Sequence, residues 1–236
     1  MHPLLPALQK GLADLDLTLA DEQQTQLLAY MDLIAKWTKV YNLTAVRDAN
    51  EMLTHHLLDS LAVIAPLRRE LAKLNLPSES VVLAPVGVQG SSVTKLAQTK
   101  FNLLDVGAGA GLPGIVIAIT CPDVSVTCVD TVAKKAAFIQ QVAATLKLPN
   151  LKGLHARVEG LAQPYDVVCS RAFASLIDFT TWSRAALASH GVWMAMKGKH
   201  PDQELEVLPE DVHVFHVEQL QVPGLDAERC IIWMRG

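Results

Sequence analysis

Paired cysteines, long apolar runs and repeats are missing from this sequence. Its four cysteines (Cys121, Cys128, Cys169 and Cys230) show no C-x-x-C spacing, which argues against a disulfide framework and against a zinc site. Three of them lie in or beside strand-like apolar runs and read as reduced, mostly buried thiols. No apolar run is long enough to span a bilayer, and Met1–Gly11 carries no basic segment ahead of an apolar core. Neither a membrane span nor a secretory signal is therefore expected. There is no internal repeat and no low-complexity tract. These absences predict a cytoplasmic globular protein. Its 236 residues, half of them hydrophobic, suit one large domain, or one domain with a helical appendage.

Net positive charge is missing too. The chain carries −4, the wrong sign for a nucleic-acid partner until it is divided along the sequence. Residues 131–199 hold nine lysines and arginines against Glu159, Asp166 and Asp178, a local +6, so the remainder carries −10. One basic face docking on phosphates fits that asymmetry, and so does an ordinary solvated helix face.

What the sequence does carry is Phe101–Gly114, FNLLDVGAGAGLPG. A short apolar run ends in Asp105-Val106. Gly107, Gly109 and Gly111 follow at every second position, and Pro113 opens a fresh apolar segment. This is a strand, a backbone-only turn and a helix start. Glycines remove Cβ atoms and make positive φ cheap, so a ligand can lie against the main chain. Gly109–Gly114 satisfies the dinucleotide pattern G-x-G-x-x-G, but a lone match is weak. Asp105, just ahead of the glycines, would repel a pyrophosphate and suits the cationic amino-acid tail of S-adenosyl-L-methionine. D-x-G-x-G-x-G resembles motif I of the Rossmann-like methyltransferases. Asp130, closing the next apolar run, can accept hydrogen bonds from a ribose diol in either class.

Along the chain, residues 1–77 read as a helical N-terminal region. Thr18 is placed as a cap with Asp21 in the first turn, and Leu27, Met31, Ile34 and Trp37 recur at helical spacing as a buried stripe. Asn50 is placed as the cap of a second helix that stops near Pro66, and a third runs through Leu67–Leu74. Residues 78–100 read as a linker or insertion. In residues 101–236, strands at 101–106, 124–129, 151–155, 165–170, 192–197, 212–220 and 230–234 alternate with helices at 113–120, 132–147 and 176–189. The predicted fold is α/β: a Rossmann-like class I methyltransferase with a mostly parallel seven-stranded sheet, a C-terminal antiparallel hairpin and an N-terminal helical appendage. Ligands of such sheets bind at the carboxyl ends of the strands. That rim collects Asp105, Asp130, Arg157–Glu159, Ser170–Phe173 and Lys197–Lys199.

Six segments then resemble one family: YNLTAVRDANEMLTHHLLDSLAV (Tyr41–Val63), LLDVGAGAGLPGIVIAI (Leu103–Ile119), DTVAKKAAF (Asp130–Phe138), ARVEGL (Ala156–Leu161), VVCSRAFASL (Val167–Leu176) and AMKG (Ala195–Gly198). In order and spacing they are similar to the RsmG/GidB family, the bacterial 16S rRNA (guanine(527)-N(7))-methyltransferases. The resemblance implies S-adenosyl-L-methionine as cofactor and 16S rRNA of the small ribosomal subunit as partner. It carries the family's cofactor contacts onto Gly107, Leu112, Val158, Glu159 and Arg171. Departures are His55 where arginine is common, Ala133 for glycine, Thr131 for serine, and a longer 78–100 segment.

Methyl transfer is an in-line displacement that chiefly needs positioning. Guanine N7 presents a lone pair and has no proton to lose, so it requires no general base. Ser170-Arg171-Ala172-Phe173 stands where exocyclic-amine methyltransferases carry N/D-P-P-Y, and Cys121 lies at the wrong end of a helix to attack a pyrimidine. Arg171 is the candidate catalytic residue, orienting cofactor or base; Phe173 stacks a base or simply packs in the core. Lys134, Arg157 and Lys197 are candidate phosphate contacts or solvated cations. Asp105, Gly107, Gly109, Gly111, Leu112, Asp130, Val158, Glu159 and Arg171 form the expected cofactor site. His55, His56 and Asp59 lack a fourth ligand and are read as a packing and loop-anchoring network, not a metal site. Trp37 and Trp182 are expected in the core, and a monomer is expected.

Overall fold

Among the described residues, seven strands form one sheet: β1 (Phe101–Val106), β2 (Val124–Asp130), β3 (Leu151–His155), β4 (Tyr165–Arg171), β5 (Leu187–Lys197), β6 (His213–Leu220) and β7 (Arg229–Arg235). Their order is β3-β2-β1-β4-β5-β7-β6. β1 to β5 pair in parallel, while β7 runs antiparallel to both β5 and β6. The C-terminal hairpin is therefore present, with β7 slotted between β5 and β6. The computed structural model describes residues 1–74 and 101–236, so the expected linker at 78–100 lies outside the described residues.

The central strands read as continuous apolar runs because both their faces are covered. Leu103, Val126, Val167, Met194 and Trp233 face one buried cluster; Leu104, Val129, Val168, Trp193 and Ile232 face the other. The first face is covered by α6 (Gly114–Thr120) and α7 (Ala133–Thr145), and outside them by the N-terminal helices α1 (Leu5–Asp14), α2 (Asp21–Tyr41) and α5 (Ile64–Leu74). The second face is covered by α8 (Leu176–Ser183) and α9 (Asp202–Glu206). The helical N-terminal region shares one apolar cluster with the sheet. Each fully buried leucine or isoleucine in it, such as Leu8, Leu27 and Ile34, contributes roughly 1.5–3 kcal/mol. Polar ties fix the register: Gln23 Nε2 donates to Ile119 O (2.8 Å), Arg68 to Thr120 O (2.8 Å) and Tyr30 Oη to Ala110 O (2.7 Å).

Several helix ends differ from expectation. Thr18 caps nothing: α2 starts after Ala20, whose N–H donates to Gln23 Oε1 (3.0 Å). Asp48, not Asn50, caps α3 (Ala49–Met52), accepting from the Asn50 and Glu51 amides (2.9 and 3.0 Å). An Asp one residue ahead of the helix can reach two unpaired N–H groups, which Asn50, already inside it, cannot. Pro66 does not stop a helix. It sits in the first turn of α5, where a missing N–H is harmless. Between α3 and α5 the chain forms a π-helical segment, Leu53–Leu58, followed by α4 (Asp59–Leu61). α8 ends at Ser183, six residues early: Arg184–Ala186 follow as a 3-10 turn and β5 already begins at Leu187, five residues before the expected strand, while buried Ser183 accepts a hydrogen bond from Trp193 Nε1 (2.9 Å) that ties the helix end to β5. Among the described residues no helix is long and apolar enough to cross a membrane.

Candidate functional site

β1 delivers its chain end to the point where the sheet reverses its strand order, the usual ligand crevice of such folds. Gly107, Gly109 and Gly111 all adopt positive φ (68°, 60° and 89°), a conformation that penalises any side chain. The turn is laced to β2: the Gly107 and Ala108 amides donate to Val129 O (2.9 and 3.2 Å), and the Gly109 amide to Asp130 Oδ2 (3.0 Å). Asp130 also accepts from the Val132 amide through Oδ1 (2.8 Å), so one buried carboxylate positions both the glycine turn and the start of α7. Ser170 Oγ donates to Val106 O (2.8 Å), closing β4 on β1. Tyr30, absent from the buried stripe read from sequence, supports the turn from behind through Ala110.

A cavity of about 380 Å³ opens beside this turn, within the size range of small-ligand sites. It is lined by Val106 and Gly107 at the end of β1, by Val129–Val132 and Lys135, by Ala156–Glu159, and by the aromatic side chains Phe173 and Trp182. Of the residues expected from sequence it brings together Gly107, Asp130, Arg157, Val158, Glu159 and Phe173. A Cβ at Gly107 or Gly109 would meet nothing closer than 3.9 Å, so the space over the turn is open to a ligand. Gly111 and Leu112 close the turn behind it, both amides donating to Ala108 O (2.7 and 3.2 Å). Lys134 is exposed on α7 and lines no described cavity; its neighbour Lys135 does, with Nζ 3.7 Å from Asp130 Oδ2.

Asp105 is not where a ligand's ammonium group was expected to meet it. It is fully buried beneath the turn, with Oδ2 accepting the Gly114 amide (2.8 Å) and Oδ1 without a partner among the described residues. Burial pushes its pKa up to about 7, against the opposing pull of the Gly114 amide and of Arg171. Gly114 can be nothing larger. A Cβ there would run into Cys128 Sγ and lie 2.8 Å from Asp105 Oδ2. Gly114→Ala is therefore expected to destabilise the protein by about 1–3 kcal/mol, and an unchanged denaturant midpoint would refute this.

Arg171 and Phe173 part company. Ala172 between them has φ 61°, a left-handed conformation rare outside glycine and asparagine. Phe173 faces the first cavity, whereas Arg171 lines a second one of about 470 Å³, with Lys197, Arg229, His55, His56 and Asp59. There the buried Asp59 carboxylate accepts from Arg171 Nη1 (3.0 Å) and Arg229 Nε (2.9 Å), and Arg171 also donates to His55 O (3.1 Å). Lys197 Nζ is bonded to both Glu204 oxygens (2.9 Å each) and to Phe173 O (3.3 Å). His56 Nε2 meets Thr44 Oγ1 at 2.6 Å, and burial together with Arg171 lowers its pKa, leaving it neutral at pH 7. His56 and Asp59 thus anchor a loop and two strand ends through their side chains, whereas His55 takes part through its carbonyl alone. Among the described residues no cluster of metal-ligating side chains is present. All four cysteines are buried thiols, and burial raises the pKa of each. Arg229 and Trp182 went unread in sequence as site residues. Trp182 is no core residue: it is 43 % exposed. The inner stripe of α8 is Leu176, Phe179, Thr180 and Ser183, a 3.6-residue pattern that already excludes position 182. Trp37 does pack on the first apolar cluster, 5.3 Å from Phe138.

A parallel sheet with β7 inserted antiparallel, a positive-φ glycine turn after β1, an acid closing β2 and an open cavity between them define an S-adenosylmethionine-dependent methyltransferase of the Rossmann-like class. The donor set suits that cofactor: Asp130 and Glu159 for hydroxyls, apolar Val129, Ala156 and Val158 for a ring, bare backbone at the turn. Comparison with known proteins narrows the class. The model of the family described as rRNA small subunit methyltransferase G matches residues 23–74 and 88–232, and the chain belongs to that family. It is 66% identical over 228 residues (97% of this chain, 92% of the other) to a Polaromonas protein named ribosomal RNA small subunit methyltransferase G. Proteins of the same name from Acidovorax ebreus (62% over 229 residues; 97% and 94%) and Albidiferax ferrireducens (62% over 235 residues; 100% and 98%) are similarly close.

Proposed function

We propose that this protein transfers the methyl group of S-adenosyl-L-methionine to N7 of a single guanine, position 527, in the 16S rRNA of the small ribosomal subunit, acting in the cytoplasm as a monomer without a metal. The observation that carries this reading is the pair of cavities at the carboxyl edge of the sheet, divided by the positive-φ turn at Ala172. The relatives' shared name supports rRNA as the substrate. The first cavity takes the cofactor: Gly107, Val158 and Glu159 line it, and Asp130 offers acceptors. The bound cofactor supplies an electrophilic methyl group. The second cavity, with Arg171, Arg229 and Lys197, receives a nucleotide that brings negative charge of its own. Guanine N7 has no proton to lose, so these side chains have only to hold donor and acceptor in line.

The test incubates the protein and labelled S-adenosylmethionine with intact small subunits, naked 16S rRNA and total protein. Label is expected in 16S rRNA at one guanine; label in protein alone, or nowhere, refutes the reading. Arg171→Ala is expected to lower turnover about 100-fold, the scale of a misplaced reactant. Unchanged turnover together with unchanged cofactor affinity removes Arg171 from the mechanism.

A further inference from the structure

We propose that Trp182 is the wall that holds the adenine ring of the cofactor, an inference that rests on assigning the 380 Å³ cavity to S-adenosylmethionine. Scattered apolar residues on a surface are ordinary, but this indole is held in place. It meets the Phe173 ring edge-on, with centroids 5.6 Å apart and planes at 72°, and Phe173 in turn packs on buried Phe179 at 5.6 Å. Three aromatic rings thus run from buried Phe179 to the half-exposed indole that lines the cavity. The helix that carries Trp182 is fixed at both ends, by Ser175 Oγ accepting the Asp178 amide (3.0 Å) and by Ser183 bonding Trp193. The indole is therefore pre-positioned before any ligand arrives.

The rest of the cavity says what covers it. Ala156 and Val158 line it as apolar partners for a flat ring, while Asp130 provides carboxylate oxygens suited to a ribose in the same space. An uncharged purine without phosphates gains its hold from stacking, and indole offers the largest face for it. The target guanine is the competing occupant, and the experiment separates the two.

Trp182 also provides its own readout. Trp193 and Trp233 are fully buried in the sheet, and Trp37 packs against α7 on the opposite face. Tryptophan fluorescence of the full chain is expected to be quenched by S-adenosylhomocysteine and 5′-methylthioadenosine, without RNA, and not by methionine. In W182F the quench should vanish, with the Kd for S-adenosylhomocysteine staying within about threefold; in W182A that Kd should rise about tenfold or more, the range of a lost base–aromatic stack. Calorimetry supplies the Kd values. A quench that persists in W182F, a W182A protein binding within about twofold of wild type, or a quench that appears only when rRNA is added overturns the inference while leaving the cavity assignment standing. Wild-type protein that binds no S-adenosylmethionine overturns both.

Discussion

Asp59→Ala is expected to destabilise the protein by about 3 kcal/mol and to lower turnover at least about tenfold. The carboxylate is 2 % exposed and accepts from Arg171 at 3.0 Å and Arg229 at 2.9 Å. Deleting it leaves two guanidinium groups facing each other across the space it filled. Breaking a buried ion pair from one side costs about 3–5 kcal/mol; both arginine side chains keep some solvent contact (22% and 25%), which favours the low end. In a chain of this size each kcal/mol moves the melting temperature by about 2–4 °C, so a loss of about 6–12 °C is expected in a thermal scan. The turnover loss has a separate origin. Arg171 ends β4, Arg229 opens β7 and Asp59 comes from the N-terminal helices, so one carboxylate aligns three elements around the second cavity. Asp59 acts through Arg171 and is a positioning residue. A double-mutant cycle with Arg171→Ala should therefore give a coupling above about 1 kcal/mol. A variant melting within about 2 °C of wild type, or additive effects in the cycle, would sink the argument.

The strands were legible because buried parallel strands are written as unbroken apolar runs: β1 and β3 fall where the runs begin and end. The glycine turn was legible because alternating glycines have few other uses. The division of the site was not. Nothing in Arg171-Ala172-Phe173 announces that the middle residue takes positive φ, so the sequence places both flanking side chains together on one rim. The separate partners of His56 and Asp59 were not legible either: along the π-helical segment Leu53–Leu58 and the residue after it, His56 bonds Thr44 while Asp59 takes the two arginines. Two misreadings had a signal in plain view. Asp105 closes an apolar run in a strand covered on both faces, where an acid is buried by default. Tyr30 lies three residues after Leu27 and four before Ile34, squarely on the stripe that packs inward.

Between pH 5 and pH 8 the wild-type protein should lose stability relative to Asp105→Asn by about 2–3 kcal/mol. The sign follows from the direction of the shift. The unfolded carboxyl titrates near 3.9, while burial raises the folded one to about 7. Over that interval the folded protein binds the proton more tightly, so its advantage is complete below about pH 4 and is lost as pH rises through 7. Each unit of separation is worth about 1.36 kcal/mol, or about 4 kcal/mol in all, of which the stated window spans the larger part. Asparagine cannot ionise and retains an oxygen for the Gly114 amide, so the variant should lack this pH dependence whatever its absolute stability. Denaturant midpoints at pH 5, 6, 7 and 8 check it, and a wild-type-to-variant gap that stays constant with pH rules it out. The same variant separates two roles of Asp105. If Asp105→Asn folds and still binds S-adenosylmethionine at wild-type affinity, the residue serves the site through the Gly114 bond alone. If affinity falls while the fold stands, the buried charge itself is felt by the cationic cofactor, as its place ahead of the glycines first suggested.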